Sequence, residues 1–367
     1  MTAPLGVGVV GTGVISEEYL RNLTSFPDLR VVAVADLDPA RAAASAARHG
    51  VPRSSTVDEL LADPGIGLVV NLTVPAAHVE VSLAAIEAGK HVWVEKPLGL
   101  DLRGARALLD LAARRGLRVA CAPDTLLGAG WQTARRAVDA GVIGEPRTAL
   151  ALFQSPGPES WHPAPEFLFQ PGGGPLLDMG PYYLTGLVHL LGPIRRVTAT
   201  GGRARDTRVI GSGPRAGAEF PVTVHTAVSA LVEFERGGSA QAVFSFDSAV
   251  HRTGFVEVSG TLGTVVLPDP NRFDGETAVH LFDGGQTLAP QGHGATRGTG
   301  VLELARSIRA GEPERASGEL AYHVLDAMLA IEDSIALGRP VDVGSTVEPP
   351  PALLADWDPH AVSPAAR

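Results

Sequence analysis

Lysine is rare in this chain, two residues against 28 arginines among 367. One of the two, Lys96, closes the run Val92-Trp93-Val94-Glu95-Lys96-Pro97, at the end of what reads as a buried strand. Arginine keeps its proton in a protein, whereas a partly buried lysine shifts its pKa readily and serves as acid, base or relay. Strand-end loops of a parallel sheet are where such chemistry is done. Lys96 is therefore a candidate catalytic residue, the alternative being that arginine-rich codon usage left it as a remainder. Lys90 follows Gly89 at the end of a helix-like stretch, where a cation suits the helix dipole, and needs no further role. A second constellation is Gly11-Thr12-Gly13-Val14-Ile15-Ser16, between a strand-like and a helix-like run. The first glycine permits a tight turn, and the second lets backbone approach a pyrophosphate at a helix N-terminus. Ser16 stands where the full fingerprint has a third glycine. Asp36, at the end of the second strand-like run, suits the hydroxyls of an adenine ribose and repels a 2′-phosphate. NAD is expected, with NADP as the alternative. Asp38, directly before Pro39, fills the helix N-cap role better than Asp36 does.

The elements that must position these residues alternate over residues 1–122. Leu5–Val10, Arg30–Ala35, Leu68–Leu72, His91–Glu95 and Leu117–Cys121 read as apolar strands, with helical stretches between them. Apolar strands alternating with helices imply a doubly wound parallel sheet covered on both faces. From residue 123 the pattern changes. A Pro/Gly-rich stretch leads to an apolar helix over Leu176–Leu191, expected to begin near Leu177–Asp178 so that Pro181 falls in or just beyond its first turn. Val222, Val224, Val228, Val232 and Phe234 then recur at even spacing with polar residues between them, the pattern of a half-buried antiparallel strand. The expected architecture is α/β: a Rossmann domain (1–122), an α+β domain with a large, mostly antiparallel open sheet (123–346), and an extended C-terminal arm (347–367).

The length suits two domains. A net charge of −10 without a basic stripe argues against a nucleic-acid partner. No apolar run is long enough to span a bilayer and no secretory leader is legible, so no membrane association and a cytoplasmic protein are expected. The single cysteine, Cys121, lies among apolar neighbours and reads as packing. No His, Cys or carboxylate cluster has metal-ligand spacing.

Taken together, the glycine turn, Thr73-Val74-Pro75-Ala76-Ala77-His78, the Glu95-Lys96-Pro97 run and Gly172-Gly173-Gly174-Pro175-Leu176-Leu177-Asp178-Met179-Gly180-Pro181-Tyr182 resemble the glucose–fructose oxidoreductase and inositol dehydrogenase (Gfo/Idh/MocA) family over nearly the whole chain. The resemblance implies hydride transfer between a nicotinamide and a carbinol carbon of a sugar, polyol or glycoside. It implies that Gly11, Thr12, Gly13, Val14, Ile15, Asp36, Thr73, Val74, Pro75, Glu95 and Lys96 line the cofactor. His78 is counted with them, although its place at a helix start also suits packing or capping. Many relatives have Thr-Pro-Asn where this chain has Thr73-Val74-Pro75. Lys96 would orient and polarise the reacting hydroxyl, and Asp178 would bind the substrate. Tyr182 stands where many relatives have histidine, which points to a tyrosine-bearing branch.

A phenol with a pKa near 10 is a poor base at neutral pH unless a cation such as Lys96 lowers it. Asp178 and Tyr182 are four apart and share a face if their stretch is helical. Asp124 replaces the Asn/Arg pair of many relatives and is expected to accept from sugar diols. Trp161 and His162 read either as a sugar-stacking platform or as a loop anchor. The resemblance also implies a homodimer or homotetramer, and the apolar row from Val222 to Phe234 is expected to need cover from its own helices or another subunit. Two further readings are a dihydrodiol-type dehydrogenase and a non-catalytic dinucleotide sensor. Keeping Lys96, Asp178 and Tyr182 together disfavours the sensor.

Overall fold

The structure is a computed structural model and describes residues 3–363. In chain order the first elements are β1 (Leu5–Val10), α1 (Ser16–Leu23), β2 (Leu29–Ala35), α2 (Pro39–His49), β3 (Ser54–Ser55), α3 (Val57–Ala62), β4 (Leu68–Asn71), α4 (His78–Glu87), β5 (His91–Val94), α5 (Leu102–Arg114) and β6 (Val119–Cys121). There follow α6 (Ala129–Asp139), β7 (Pro146–Gln154), α7 (Gly174–Leu191), β8 (Ile194–Gly202), β9 (Thr207–Val209), β10 (Glu219–Pro221), β11 (Ala227–Phe234), β12 (Ser239–Ser245), β13 (Arg252–Gly260), β14 (Gly263–Leu267), β15 (Thr277–Leu281) and β16 (Gly284–Leu288). The chain ends with α8 (Thr299–Ala310), α9 (Gly318–Leu337) and β17 (Val341–Asp342).

The first six strands form one parallel sheet in the order β3-β2-β1-β4-β5-β6. Strand order reverses on either side of β1, and the crevice outside the carboxyl ends at that point is where such sheets bind ligands. Local chemistry sets the helices. Asp38 caps α2 by accepting from the amides of Ala40 and Arg41, with Pro39 at the first position and Gly50 closing it in the left-handed region. Thr56 and Glu59 form a reciprocal capping box on α3.

This unit takes in the chain up to Gly128, Gly292–Tyr322, and the tail from Leu353. The expected boundary at residue 122 therefore needs correction, because a later segment returns to the first core. Val301, Leu302 and Leu304 are fully buried in the same cluster as Val7, Leu68 and Trp93. The expected free arm needs correction too, as far as residue 363; its last four residues lie outside the described ones. Leu353 is 3% exposed, and the Arg306 guanidinium sits over the Trp357 ring at 4.8 Å. Asp28, nearly inaccessible, accepts from Arg306 Nε, Arg309 Nη1 and Ser363 Oγ at 2.9, 2.9 and 2.8 Å.

The second unit is Ala129–Gln291 with His323–Ala352. Its nine-stranded sheet runs β16-β15-β14-β13-β7-β12-β11-β8-β17, with β7 and β12 the parallel pair among antiparallel neighbours. One face alternates small and large apolar side chains (Ala151, Phe153, Val228, Val232, Phe244), all buried. Helix α7 packs on β7, β11 and β12. Helix α9 ties to β8, where His323 Nε2 accepts from Ile194 N at 2.8 Å and Ser334 Oγ from Ala199 N at 2.9 Å.

Two details depart from the sequence reading. The strand starts at Ala227, so Val222 and Val224 precede it, and Val228, Val232 and Phe234 are covered within their own unit. Helix α7 starts at Gly174 and holds Pro181 inside it. An interior proline costs about 3 kcal/mol; nearly every α7 side chain is buried, and that burial outweighs the penalty.

Candidate active site

In the first unit, the carboxyl ends of the strands carry the chemistry. Gly11 has φ +95°, and a Cβ there would stand 2.7 Å from the Leu72 carbonyl, so only glycine makes this turn. At Gly13 a Cβ would meet nothing within 4 Å beyond its own chain neighbours. Helix α1 carries no side-chain cap, since its N-cap residue is Ile15, and the Ser16 hydroxyl donates back to Gly13 O at 2.6 Å. That combination fits a pyrophosphate approaching helix amides. Val14 is almost fully exposed, whereas Ile15 packs against the core.

Asp36 Oδ2 accepts from Thr12 N at 2.7 Å and Thr12 Oγ1 at 2.8 Å, while Oδ1 accepts from Asp38 N at 3.0 Å and Arg41 Nη2 at 2.6 Å. Burial raises the Asp36 pKa, but the amides of Asp38 and Thr12 with Arg41 outweigh it and bring it to about 2. The carboxylate is thus charged at neutral pH and faces the glycine turn.

Asn71, fully buried at the end of β4, accepts from Thr73 N and Oγ1 at 3.2 and 2.6 Å and donates to His78 O and Ser82 Oγ. It sets the Thr73-Val74-Pro75 loop, of which Val74 is the most exposed. His78 belongs behind that loop. It is 1% exposed, with Nδ1 2.7 Å from Pro97 O and Nε2 3.0 Å from Thr73 O. Burial lowers its pKa, so the ring is neutral and has one N–H to give, which suits the nearer carbonyl, Pro97 O; its place behind the loop corrects its assignment to the cofactor-facing residues.

Glu95 is nearly buried; its Oε1 accepts from Tyr19 Oη at 2.8 Å and its Oε2 from Lys96 N at 3.0 Å. Lys96 is half-buried. Lys90, by contrast, is 7% exposed and its Nζ donates to Asp63 O at 2.8 Å, a structural bond rather than the surface dipole contact expected.

Asp124 is another correction. It is fully buried, and its Oδ2 accepts from Gly298 N at 2.8 Å and Gly300 N at 3.2 Å, at the start of α8. Arg297 Nη1 stands 3.6 Å from Oδ1. Burial raises the Asp124 pKa to about 6 despite Arg297 and the two amides. The carboxylate caps a helix inside the unit and presents no surface to a sugar diol.

In the second unit, Asp178 and Tyr182 lie one turn apart on α7, Asp178 half-buried and Tyr182 6% exposed. Tyr183 points the other way, accepting from Gly254 N at 2.7 Å, fully buried. The loop before α7 carries Trp161, 68% exposed, edge-on to His162 at 5.5 Å, which is edge-on to Phe167 at 5.5 Å. Ala164 N donates to His162 Nδ1 at 3.0 Å. Buried Arg208 latches this loop, donating to Pro156 O and Phe246 O at 2.9 and 2.8 Å, pairing with Glu159 and Asp247, and lying over the Phe169 ring.

Sequence reasoning missed Asn71, Tyr19 and Phe167. Only Phe167, an apolar residue in a Pro-rich loop, left a local signal. Among the described residues no group of His, Cys, Asp or Glu has metal-ligand geometry, and no helix is long and apolar enough to cross a membrane.

A sheet whose first strand delivers a glycine turn to a helix N-terminus, beside an ionised acid on the neighbouring strand, is the arrangement of a dinucleotide-binding protein. The family model described as "Oxidoreductase family, NAD-binding Rossmann fold" matches residues 5–122, and the "GFO/IDH/MocA C-terminal domain" matches residues 131–266. The 1,5-anhydro-D-fructose reductase of Ensifer adhaerens is 31% identical over 264 residues, 71% of this chain and 74% of that protein. An NAD-binding oxidoreductase of Klebsiella pneumoniae superposes with a TM-score of 0.81 at 27% identity, covering 93% of this chain and 99% of that one. A levoglucosan dehydrogenase in complex with NADH and L-sorbose superposes at 0.83 with 23% identity, covering 94% and 100%. The chain belongs to the GFO/IDH/MocA family of NAD-binding oxidoreductases.

Proposed function

We propose that this enzyme interconverts a secondary hydroxyl and its ketone on a sugar, polyol or glycoside, with NAD as its preferred cofactor. The observation that carries the reading is the set of strand ends in the first unit: an unfilled glycine approach, an ionised Asp36, and Glu95–Lys96 on a loop pinned by His78. Nicotinamide held at these strand ends would supply the hydride exchange with the carbinol carbon. Lys96 holds and polarises the reacting oxygen through its ammonium group, and Tyr182 takes the hydroxyl proton. A positive charge beside a phenol favours the phenolate, the form that accepts a proton. Asp178 accepts from a substrate hydroxyl. The relatives named for an anhydrosugar and for levoglucosan support the substrate class. So does the Trp161–His162–Phe167 row, whose exposed rings suit the C–H face of a pyranose. The open face of the nine-stranded sheet supports a homo-oligomer.

The test is a panel of sugars, inositols and glycosides assayed with NAD⁺ and NADP⁺. On the best substrate, Lys96→Met and Tyr182→Phe should each lower turnover by about a hundredfold or more while leaving the melting temperature within a few degrees. Lys96→Arg should fail nearly as badly, because it keeps charge without a transferable proton. Near-normal turnover in Lys96→Arg would remove the relay role and leave a charge role.

A further inference from the structure

Trp93, Tyr19 and Glu95 form a buried chain of hydrogen bonds that the proposed chemistry leaves unused. Trp93 Nε1 donates to Tyr19 Oη at 3.1 Å, and Tyr19 Oη donates to Glu95 Oε1 at 2.8 Å. Trp93 and Tyr19 are fully buried. Tyr19 sits on α1, just beyond Ser16, the last residue of the glycine turn. Glu95 directly precedes Lys96 and holds its backbone amide with the second carboxylate oxygen. One phenol therefore joins the helix that starts at the nucleotide turn to the loop that carries the candidate catalytic lysine.

We propose that Tyr19 is a positioning residue that, through Glu95, couples the seating of the dinucleotide on α1 to the placement of Lys96. The inference rests on the dehydrogenase reading for the roles of Glu95 and Lys96. Several facts make this more than a buried tyrosine finding a partner. The bond goes to a carboxylate in a strand-end loop rather than to a nearby carbonyl, so it fixes the side chain whose other oxygen holds the Lys96 amide. The phenol has one proton to give and uses it on Glu95, while its oxygen accepts the indole N–H. Burial, then the facing charges of Glu95 and Asp124, hold its pKa well above the usual value against Arg297, so it stays a neutral donor throughout the working range. The indole cannot swing aside: a Cβ on Gly300 would stand 2.1 Å from the Trp93 ring, so α8 backs it closely.

Three variants decide the matter: Tyr19→Phe, Glu95→Gln and the double substitution. NADH binding is followed by its fluorescence in the absence of substrate, beside melting temperature and steady-state kcat and KM. Tyr19→Phe is expected to weaken NADH and lower kcat by about tenfold each, as loss of a hydrogen bond to a charged group predicts. The double variant should be no worse than Glu95→Gln alone, because both act through one bond. Glu95→Gln, which keeps an acceptor for the phenol and removes only the charge, serves as the test if the phenylalanine variant does not fold, and should then lose NADH affinity and kcat together. A Tyr19→Phe protein that melts lower yet keeps NADH affinity and kcat within twofold would overturn the proposal, and so would multiplicative losses in the double variant. Wild-type protein that fails to bind NADH would overturn the dehydrogenase reading first, and this inference with it.

Discussion

A carboxylate offers about four lone-pair sites, and Asp36 spends them on Thr12 N, Thr12 Oγ1, Asp38 N and Arg41. Ribose hydroxyls must displace one of these donors, and Arg41, with more than half its side chain exposed, is the least costly to lose. Arg41→Ala should therefore bind NADH a few-fold more tightly, by about threefold, and lose whatever NADPH affinity the protein has. Calorimetric titration with both cofactors checks this, and weaker NADH binding by the variant would refute it. Asp124 predicts a pH effect. Its folded pKa, about 6, lies above the ordinary 3.8, so the folded state holds its proton more tightly. Its contribution to stability is complete below about pH 4 and is lost as pH rises through 6, on the order of 3 kcal/mol. Urea melts of wild type and Asp124→Asn should diverge across that window, the wild type losing ground; parallel curves would show that the carboxylate does not titrate there. The places of Asp36 and Lys96 just beyond strand ends were legible, because the apolar runs before them stop there. Asp124 carries the same sign, a carboxylate after a strand, but its partners lie more than 170 residues later. Tyr19 was invisible for the same reason, since its acceptor is 76 residues away.

At the scale of elements, periodicity told strands from helices in the first unit to within a residue or two at most ends. Apolar strands between capped helices leave little ambiguity there. The second unit was harder to read. Short strands such as β9, β10 and β17 have no period to detect, and the run from Val222 to Phe234 keeps its alternation across a break in hydrogen bonding. Alternation reports burial, which continues through a loop that packs. Pro181 misled in the other direction, because a local helix penalty was weighed without the burial of α7. Of the two covers expected for the apolar row ending at Phe234, its own unit supplies one, since Val228, Val232 and Phe234 are buried there. Cross-strand neighbours place Leu231, Val243, Leu150, Leu152 and Phe255 on the face away from α7, half-buried or, for Leu231, 43% exposed. If that face joins subunits, Leu231→Lys should shift the protein to a smaller species in light scattering with little change in melting temperature. Val232, on the covered face and fully buried, should instead lose stability when made Ala, with no change of assembly. A monomeric wild type at micromolar concentration would end the argument.

For the molecule as a whole, family and two-part architecture were readable from motifs spread along the chain, but the division between the parts was not. The chain passes from one unit to the other after Gly128, after Gln291, after Tyr322 and after Ala352. Residues 1–128 expressed alone should fail to give a cooperative thermal transition, since they lack the α8 side chains at the centre of their core. A sharp melt from that fragment would show that α8 is dispensable. The same threading bears on synthesis in the cell. Translation emits the chain at some 5–20 residues per second, so the cofactor-binding half begins first yet waits for α8 before its core can close. Until then its parallel strands stay open on the side α8 will cover, and a nascent chain paused in the second unit exposes that side to chaperones. The part of this enzyme nearest its beginning is thus among the last to mature.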